Sequence, residues 1–282
     1  MGSKSGFFDR HYHLLRRLHS LTGIVPIGVF LIVHLITNSS LAWGAFALRE
    51  GAFREGVGAG GVQYFAQEVI WINSQVPHLL LIEVTLWVSL AFHAALGFYY
   101  GLRGRENNVQ RYGYQANWRY SLQRWSGYIG FVFILYHVAT LRWGWTFLVP
   151  GGTRWEFAYA ASTLAQSLRG SPTGEFEFLG LLVSLLYFAG IVLLVFHFAN
   201  GLWTAAITWG LTVTREAQRR WGYVCAAIGF GLLGAGLAAF GGALAIDPEQ
   251  ARAVEEHVAE RHGLEAPEAV GADDIEAAVE GR

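Results

Sequence analysis

Cysteine is nearly absent. The one thiol, Cys225, lies in an apolar run, which excludes internal disulfides and thiolate metal sites, so any metal must be held by histidine or carboxylate. Charge is scarce as well. Asp, Glu, Lys and Arg make up 15% of the 282 residues, against about 25% in soluble domains. The net charge of −1 gives nucleic-acid binding no support. What fills the chain is apolar: 53% hydrophobic residues, 11 of them Trp, and a mean hydropathy of +0.33. This is the composition of an integral membrane protein. The N-terminus is polar (Lys4, Arg10, Arg16, Arg17) before a full-length hydrophobic stretch, so no cleavable signal peptide is expected. The Gly/Pro-broken helix pairs of a transporter are also missing.

A membrane span takes about 20 apolar residues. Five stretches qualify, 18–43, 77–102, 125–148, 177–210 and 221–246, predicting an all-α protein of five transmembrane helices, the first four forming a bundle. Trp43, Trp71, Trp143, Trp145, Trp209 and Trp221 fall near the predicted ends, as an interfacial aromatic belt would. Basic residues concentrate in 1–17, 103–124 and 211–220, which places those segments and the N-terminus in the cytoplasm. The C-terminus is then outside. Residues 247–282 read as an acidic, Ala-rich tail on that side, either partly helical or disordered, with no chemistry assigned.

Four histidines sit deep in these runs. Phe92-His93-Ala94-Ala95-Leu96-Gly97 is nearly repeated by Phe196-His197-Phe198-Ala199-Asn200-Gly201, 104 residues on, and His34 and His137 are 103 apart. Ionisable groups in hydrocarbon are costly and mark functional sites. At about 1.5 Å per residue, His34 and His137 fall at an outer level, and His93 and His197 at an inner one. Pairing by depth gives two bis-histidine sites stacked across the membrane. Two histidines are too few for structural zinc, which wants four ligands, whereas they match the two axial positions of a haem. With no Cys-x-x-Cys-His, the haem would be non-covalent, of b type. Gly97 and Gly201, one turn from the inner histidines, and Gly23, Gly28, Gly127 and Gly130 would let a macrocycle approach the backbone. The competing reading is that the histidines only join helices by hydrogen bonds and the glycines only pack them.

The local sequences also carry a resemblance. Arg16-Arg17-Leu18-His19-Ser20-Leu21-Thr22-Gly23 with Pro26, Gly28 and His34-Leu35 resembles the first helix of the dihaem cytochrome b anchor of succinate:quinone oxidoreductases, the single-polypeptide five-helix type. Asn117-Trp118, Leu122-Gln123-Arg124, Gly127 and His137-Val138 look like its third helix. Phe196 to Trp203, Thr208-Trp209-Gly210 and Thr212-Val213-Thr214 look like its fourth. The resemblance covers about residues 12–240. It implies two haems b, with His34 and His137 ligating the distal one and His93 and His197 the proximal one. It implies an iron–sulfur subunit and an FAD flavoprotein on the cytoplasmic side of a bacterial inner membrane, succinate chemistry in those partners, and quinone (commonly menaquinone) near the outer surface. Electrons would run from the iron–sulfur partner through the proximal and distal haems to quinone, or backwards for fumarate reduction. Proton uptake from outside would let the membrane potential help, at about 2.3 kcal/mol per charge per 100 mV.

Glu83, a carboxylate inside the second span, is a candidate proton donor or quinone ligand, or else an interfacial side chain reaching the headgroups; His78 and Glu68 are weaker candidates further out. Asn38 and Arg142 lie just past the distal ligands and are candidates for propionate or quinone. Arg16, Arg17, His19, Ser20 and Arg124 at the inner ends are candidates for propionate or partner docking, with positive-inside anchoring as the plain alternative. Two other readings stay open: a dihaem cytochrome b of a formate dehydrogenase or hydrogenase, and a haem-free structural anchor.

Overall fold

A computed structural model describes residues 6–48, 59–75, 79–103 and 117–264 of the chain. Among the described residues the elements are helical and no strand occurs. In order they are α1 (Phe7–Arg10), α2 (Tyr12–Ile24), α3 (Pro26–Trp43), α4 (Ala59–Gln75), α5 (Leu79–Arg103), α6 (Asn117–Leu141), α7 (Ala160–Arg169), α8 (Phe178–Thr208), α9 (Arg215–Ala245) and α10 (Pro248–Arg261), with single 3-10 turns between some of them. Among the described residues, four stretches are long and apolar enough to cross a membrane: Tyr12–Phe46, α5, α8 and α9. α6 matches α5 in length, 25 residues each, but its first turns carry Arg119, Gln123 and Arg124, which lowers its hydropathy.

Two elements differ from the hydropathy reading in ways the backbone explains. The first span divides at Val25 because Pro26 has no N–H to continue the ladder and takes the first position of α3. The third helix starts and stops earlier than 125–148. It ends at Leu141, where the Arg142 and Trp143 amides both close on Val138 O and Gly144 turns left-handed at φ 70°, leaving Trp143 and Trp145 past the helix.

α3 packs along α9, α9 along α8, α8 along α6, and α2 against α5 and α8. The faces turned away from these contacts are apolar and exposed, as at Val29, Val33 and Ile36 on α3, Val84 and Val88 on α5, and Leu181 and Leu185 on α8. Such a surface is stable in hydrocarbon, where all backbone polar groups are satisfied within the helices.

α4, α7 and α10 form a cap over one end of the bundle, the end of α3 that carries Leu41. Residues 248–261, read from sequence as acidic tail, thus form a docked helix; residues 265–282 lie outside the described residues. Asp247 caps α10 by accepting from the Gln250 amide at 2.9 Å, and Pro248 starts it. Glu255 on α10 is fully buried. Its carboxylate accepts from the Ala161 amide (2.6 Å), the Ser162 amide (3.2 Å) and the Ser162 hydroxyl (2.6 Å), so one helix supplies the N-terminal cap of another. Burial nonetheless pushes the Glu255 carboxyl up to about 7, against the pull of those donors and of Arg252. α7 ends at Gly170, left-handed at φ 77°, where the Gly180 backbone also leaves no room for a Cβ.

Candidate functional site

The His93 and His197 rings lie 6.0 Å apart between centroids with planes at 80°. The His34 and His137 rings lie 5.8 Å apart at 85°. Each pair therefore joins two helices, α5 with α8 and α3 with α6. Imidazole nitrogen binds a metal at about 2.0–2.1 Å, so two rings sharing one ion are separated by roughly 6 Å between centroids. Both pairs have that span. Among the described residues no group of three or more His, Cys, Asp or Glu is disposed to hold a metal ion, so the donor set is two nitrogens per site. That suits a centre whose remaining ligands come from a macrocycle.

The His93–His197 pair is held by backbone. His93 Nδ1 lies 2.8 Å from His19 O and His197 Nδ1 lies 3.0 Å from Gln123 O. A carbonyl only accepts, so both Nδ1 atoms carry the proton and both Nε2 atoms are left free as ligands. The seating of the rings is reciprocal. A Cβ on Gly23, four residues after His19, would meet His93 Cε1 at 2.5 Å, while a Cβ on Gly97, four after His93, would meet His19 Cε1 at 3.5 Å. The same exchange recurs between α6 and α8: Gly127 faces His197 Cε1 at 2.9 Å and Gly201 faces Gln123 Nε2 at 3.6 Å. Gly23 and Gly127 thus seat the His93 and His197 rings themselves, and Gly97 and Gly201 lie against the residues that hold those rings. Gly28 and Gly130 likewise receive Phe198 and Leu194.

The His34–His137 pair is held by side chains instead. Asn38 Nδ2 donates to His34 O at 2.7 Å and lies 3.4 Å from His34 Nδ1. His137 Nδ1 lies 3.3 Å from Tyr187 Oη. Phe30 stacks on His34 at 5.3 Å. Just beyond, Arg142 Nη2 pairs with Glu83 Oε1 at 2.6 Å, joining α5 to the end of α6. Trp87 stacks on Trp143 beside them at 5.3 Å. Arg142 also lines a cavity of about 440 Å³ together with Trp143, Arg154, Trp155, Glu156 and Phe157.

The remaining sequence candidates gather at the opposite end. His19 stacks on His93 at 4.0 Å and 11°, and its own Nδ1 is buried without a hydrogen-bond partner among the described residues. Ser20 Oγ donates to Arg17 O and accepts from Trp209 Nε1 at 2.8 Å. Arg17 lies over the Trp209 ring and Arg16 over Tyr12. Arg124 donates to Gly101 O and covers Tyr120. Glu68 is partly buried on α4, away from both pairs, and His78 lies outside the described residues. Sequence reasoning assigned no role to Gln123, Ser126, Asn200 or Tyr187. Gln123 had a usable signal, since it stands 104 residues after His19, the offset that relates His93 to His197. Tyr187 had none.

This architecture is that of a multi-pass helical membrane protein with buried histidine pairs between its helices. The chain is 33% identical over 210 residues to the succinate dehydrogenase cytochrome b558 subunit of Bacillus subtilis (strain 168), covering 74% of this chain and 86% of that one. The chain belongs to the family of succinate dehydrogenase cytochrome b subunits. No family model and no solved structure matches it.

Proposed function

We propose that the chain is the membrane-anchor cytochrome b subunit of a succinate:quinone oxidoreductase and carries two haems b. The observation that carries this reading is the pair of bis-histidine sites, the inner one with both Nδ1–H groups spent on backbone carbonyls and both Nε2 atoms free. Family membership supports it. Haem b, when bound, supplies a one-electron carrier at each site. His93 and His197 hold the proximal one, His34 and His137 the distal one. The carbonyls of His19 and Gln123 orient the proximal ligands and raise their basicity, as the partners around a metal's ligands do. The orphaned His19 Nδ1, with Arg16, Arg17 and Ser20 alongside, is suited to a propionate; Arg124 belongs with them or with partner docking.

In this reading α6 is the fifth span, residues 1–246 form the transmembrane domain, and 247–282 lie outside. The arginine-rich ends of α2, α6 and α9 face the cytoplasm of a bacterial cell. The partners there are an iron–sulfur subunit and a flavoprotein, which hold the dicarboxylate chemistry. Quinone, menaquinone in this reading, meets the chain at the outer rim. There Arg142 fixes the Glu83 carboxylate beside a cavity of the size small ligands use, and Glu83 passes the proton. Asn38, one turn past His34, serves the distal ligand or the quinone.

The test is a reduced-minus-oxidised spectrum with haem quantitation on the purified chain. Two b haems per chain are expected. None would end the proposal, and one would break the paired-site reading. His93→Ala or His197→Ala should remove one haem and His34→Ala or His137→Ala the other.

A further inference from the structure

We infer that Gln123, locked by Asn200, is the positioning residue for His197 and sets the redox poise of the inner site. The inference rests on the reading of His93 and His197 as haem ligands and goes beyond it.

Gln123 grips His197 at two points. Its backbone carbonyl accepts the ring proton from Nδ1 at 3.0 Å, and its side-chain Nε2 donates to the His197 carbonyl at 3.1 Å. Together these fix the ring relative to its own backbone and to α6. The amide of Gln123 is itself held, because Asn200 Nδ2 donates to Gln123 Oε1 at 2.8 Å. Ser126, fully buried, donates to Gln123 O at 3.1 Å and lies 3.3 Å from His197 Nδ1. Gly201 leaves the space in which the Gln123 amide lies.

Helix packing alone is a poor explanation of Asn200. It is 3% exposed, and its Oδ1 has no hydrogen-bond partner among the described residues. A buried amide satisfied at one end destabilises the fold relative to an apolar residue of its shape. What its side chain does hold is Gln123. The comparison with α2 sharpens the point. His19 occupies the equivalent place opposite His93 but holds it by ring stacking and one carbonyl. The two ligands of the inner site thus have unlike supports, and His197 has the stiffer one. A hydrogen bond from Nδ1–H makes the imidazole a stronger donor and favours the ferric state. Loosening the lock weakens that bond and raises the potential of this haem alone.

The experiment uses the purified complex carrying Gln123→Met or Asn200→Leu, with redox titration followed optically and low-spin ferric electron paramagnetic resonance. Both haems should be retained. The haem that His197→Ala removes should change its oxidised-to-reduced ratio at fixed potential threefold or more (tenfold corresponds to 59 mV for one electron), with a shifted signal, and the other should not move. If Gln123→Met does not assemble, Asn200→Leu decides, since it leaves Gln123 in place. Unchanged potential and signal, or equal movement of both haems, would overturn the inference. Retention of both haems in His197→Ala would instead overturn the haem reading beneath it.

Discussion

Replacing Gly23 with alanine tests the reciprocal seating of the His93–His197 pair. The added Cβ would lie 2.5 Å from His93 Cε1 and 2.9 Å from Nδ1. Non-bonded carbons rest about 3.5 Å apart or more, so the ring must retreat by ~1 Å. His93 Nδ1 starts 2.8 Å from His19 O, and a retreat of that size carries it past the reach of a hydrogen bond. It also exceeds what a metal–nitrogen bond of about 2 Å tolerates. The stability cost is modest, because overpacking at about 1–3 kcal/mol is offset by the roughly 1 kcal/mol that alanine gains over glycine in a helix. Haem content is therefore the sensitive assay. Gly127→Ala is milder, with a 2.9 Å approach to His197 Cε1 and a retreat of ~0.6 Å. Gly231 serves as control, since a Cβ there would meet none of the described residues within 4 Å. Gly23→Ala should bind one haem per chain, Gly127→Ala two with an altered spectrum, and Gly231→Ala two unchanged. Full haem content with an unaltered spectrum in Gly23→Ala would refute the seating argument, as would equal damage from Gly231→Ala.

Two further outcomes are expected. Glu255 has its folded pKa raised from 4.5 to about 7, so the folded cap holds a proton that the unfolded chain releases. Its contribution is full below pH 4.5, declines as pH rises to about 7 and is constant above, at about 1.4 kcal/mol per unit. Arg252, Glu256, Glu156 and Tyr159 share its surroundings. Relative to the intrinsic exchange rate at each pH, protection of the α10 amides should fall between pH 5 and about 7 in the wild type and stay level in Glu255→Gln; the same slope in both would exclude Glu255 as its source. Glu83→Gln should leave stability nearly unchanged, since the Arg142 pair is 30% and 54% exposed and such pairs are worth about 0–1 kcal/mol. Quinone turnover should fall at least tenfold with both haems present, and undiminished turnover would remove Glu83 as proton donor.

Much of the bundle is legible along the chain because the cost of lipid exposure is a local property. Run length marks helices, basic residues mark one end, and a histidine in an apolar run announces a partner without contacts being known. Depth alone paired His34 with His137 and His93 with His197, and those are the rings the helices bring within 6.0 Å. Less was legible where two helix faces must meet. Gly97 and Gly201 read as space for a macrocycle because they share a face with the histidines, yet that face also receives His19 and Gln123. The docking of the tail was hidden for a related reason. Its composition is acidic, and burial of Glu255 depends on the unsatisfied amides of α7, some 94 residues away.

By itself, then, the sequence determined that this is a membrane protein and which four histidines lie at matching depths in its apolar runs, since hydropathy, helical rise and the penalty for buried charge act residue by residue. Only the tertiary structure decided which groups hold those histidines. The rotation of α2 against α5 and of α6 against α8 chooses the carbonyl each Nδ1 meets, and a rotation is a property of two surfaces in contact, written in neither segment alone.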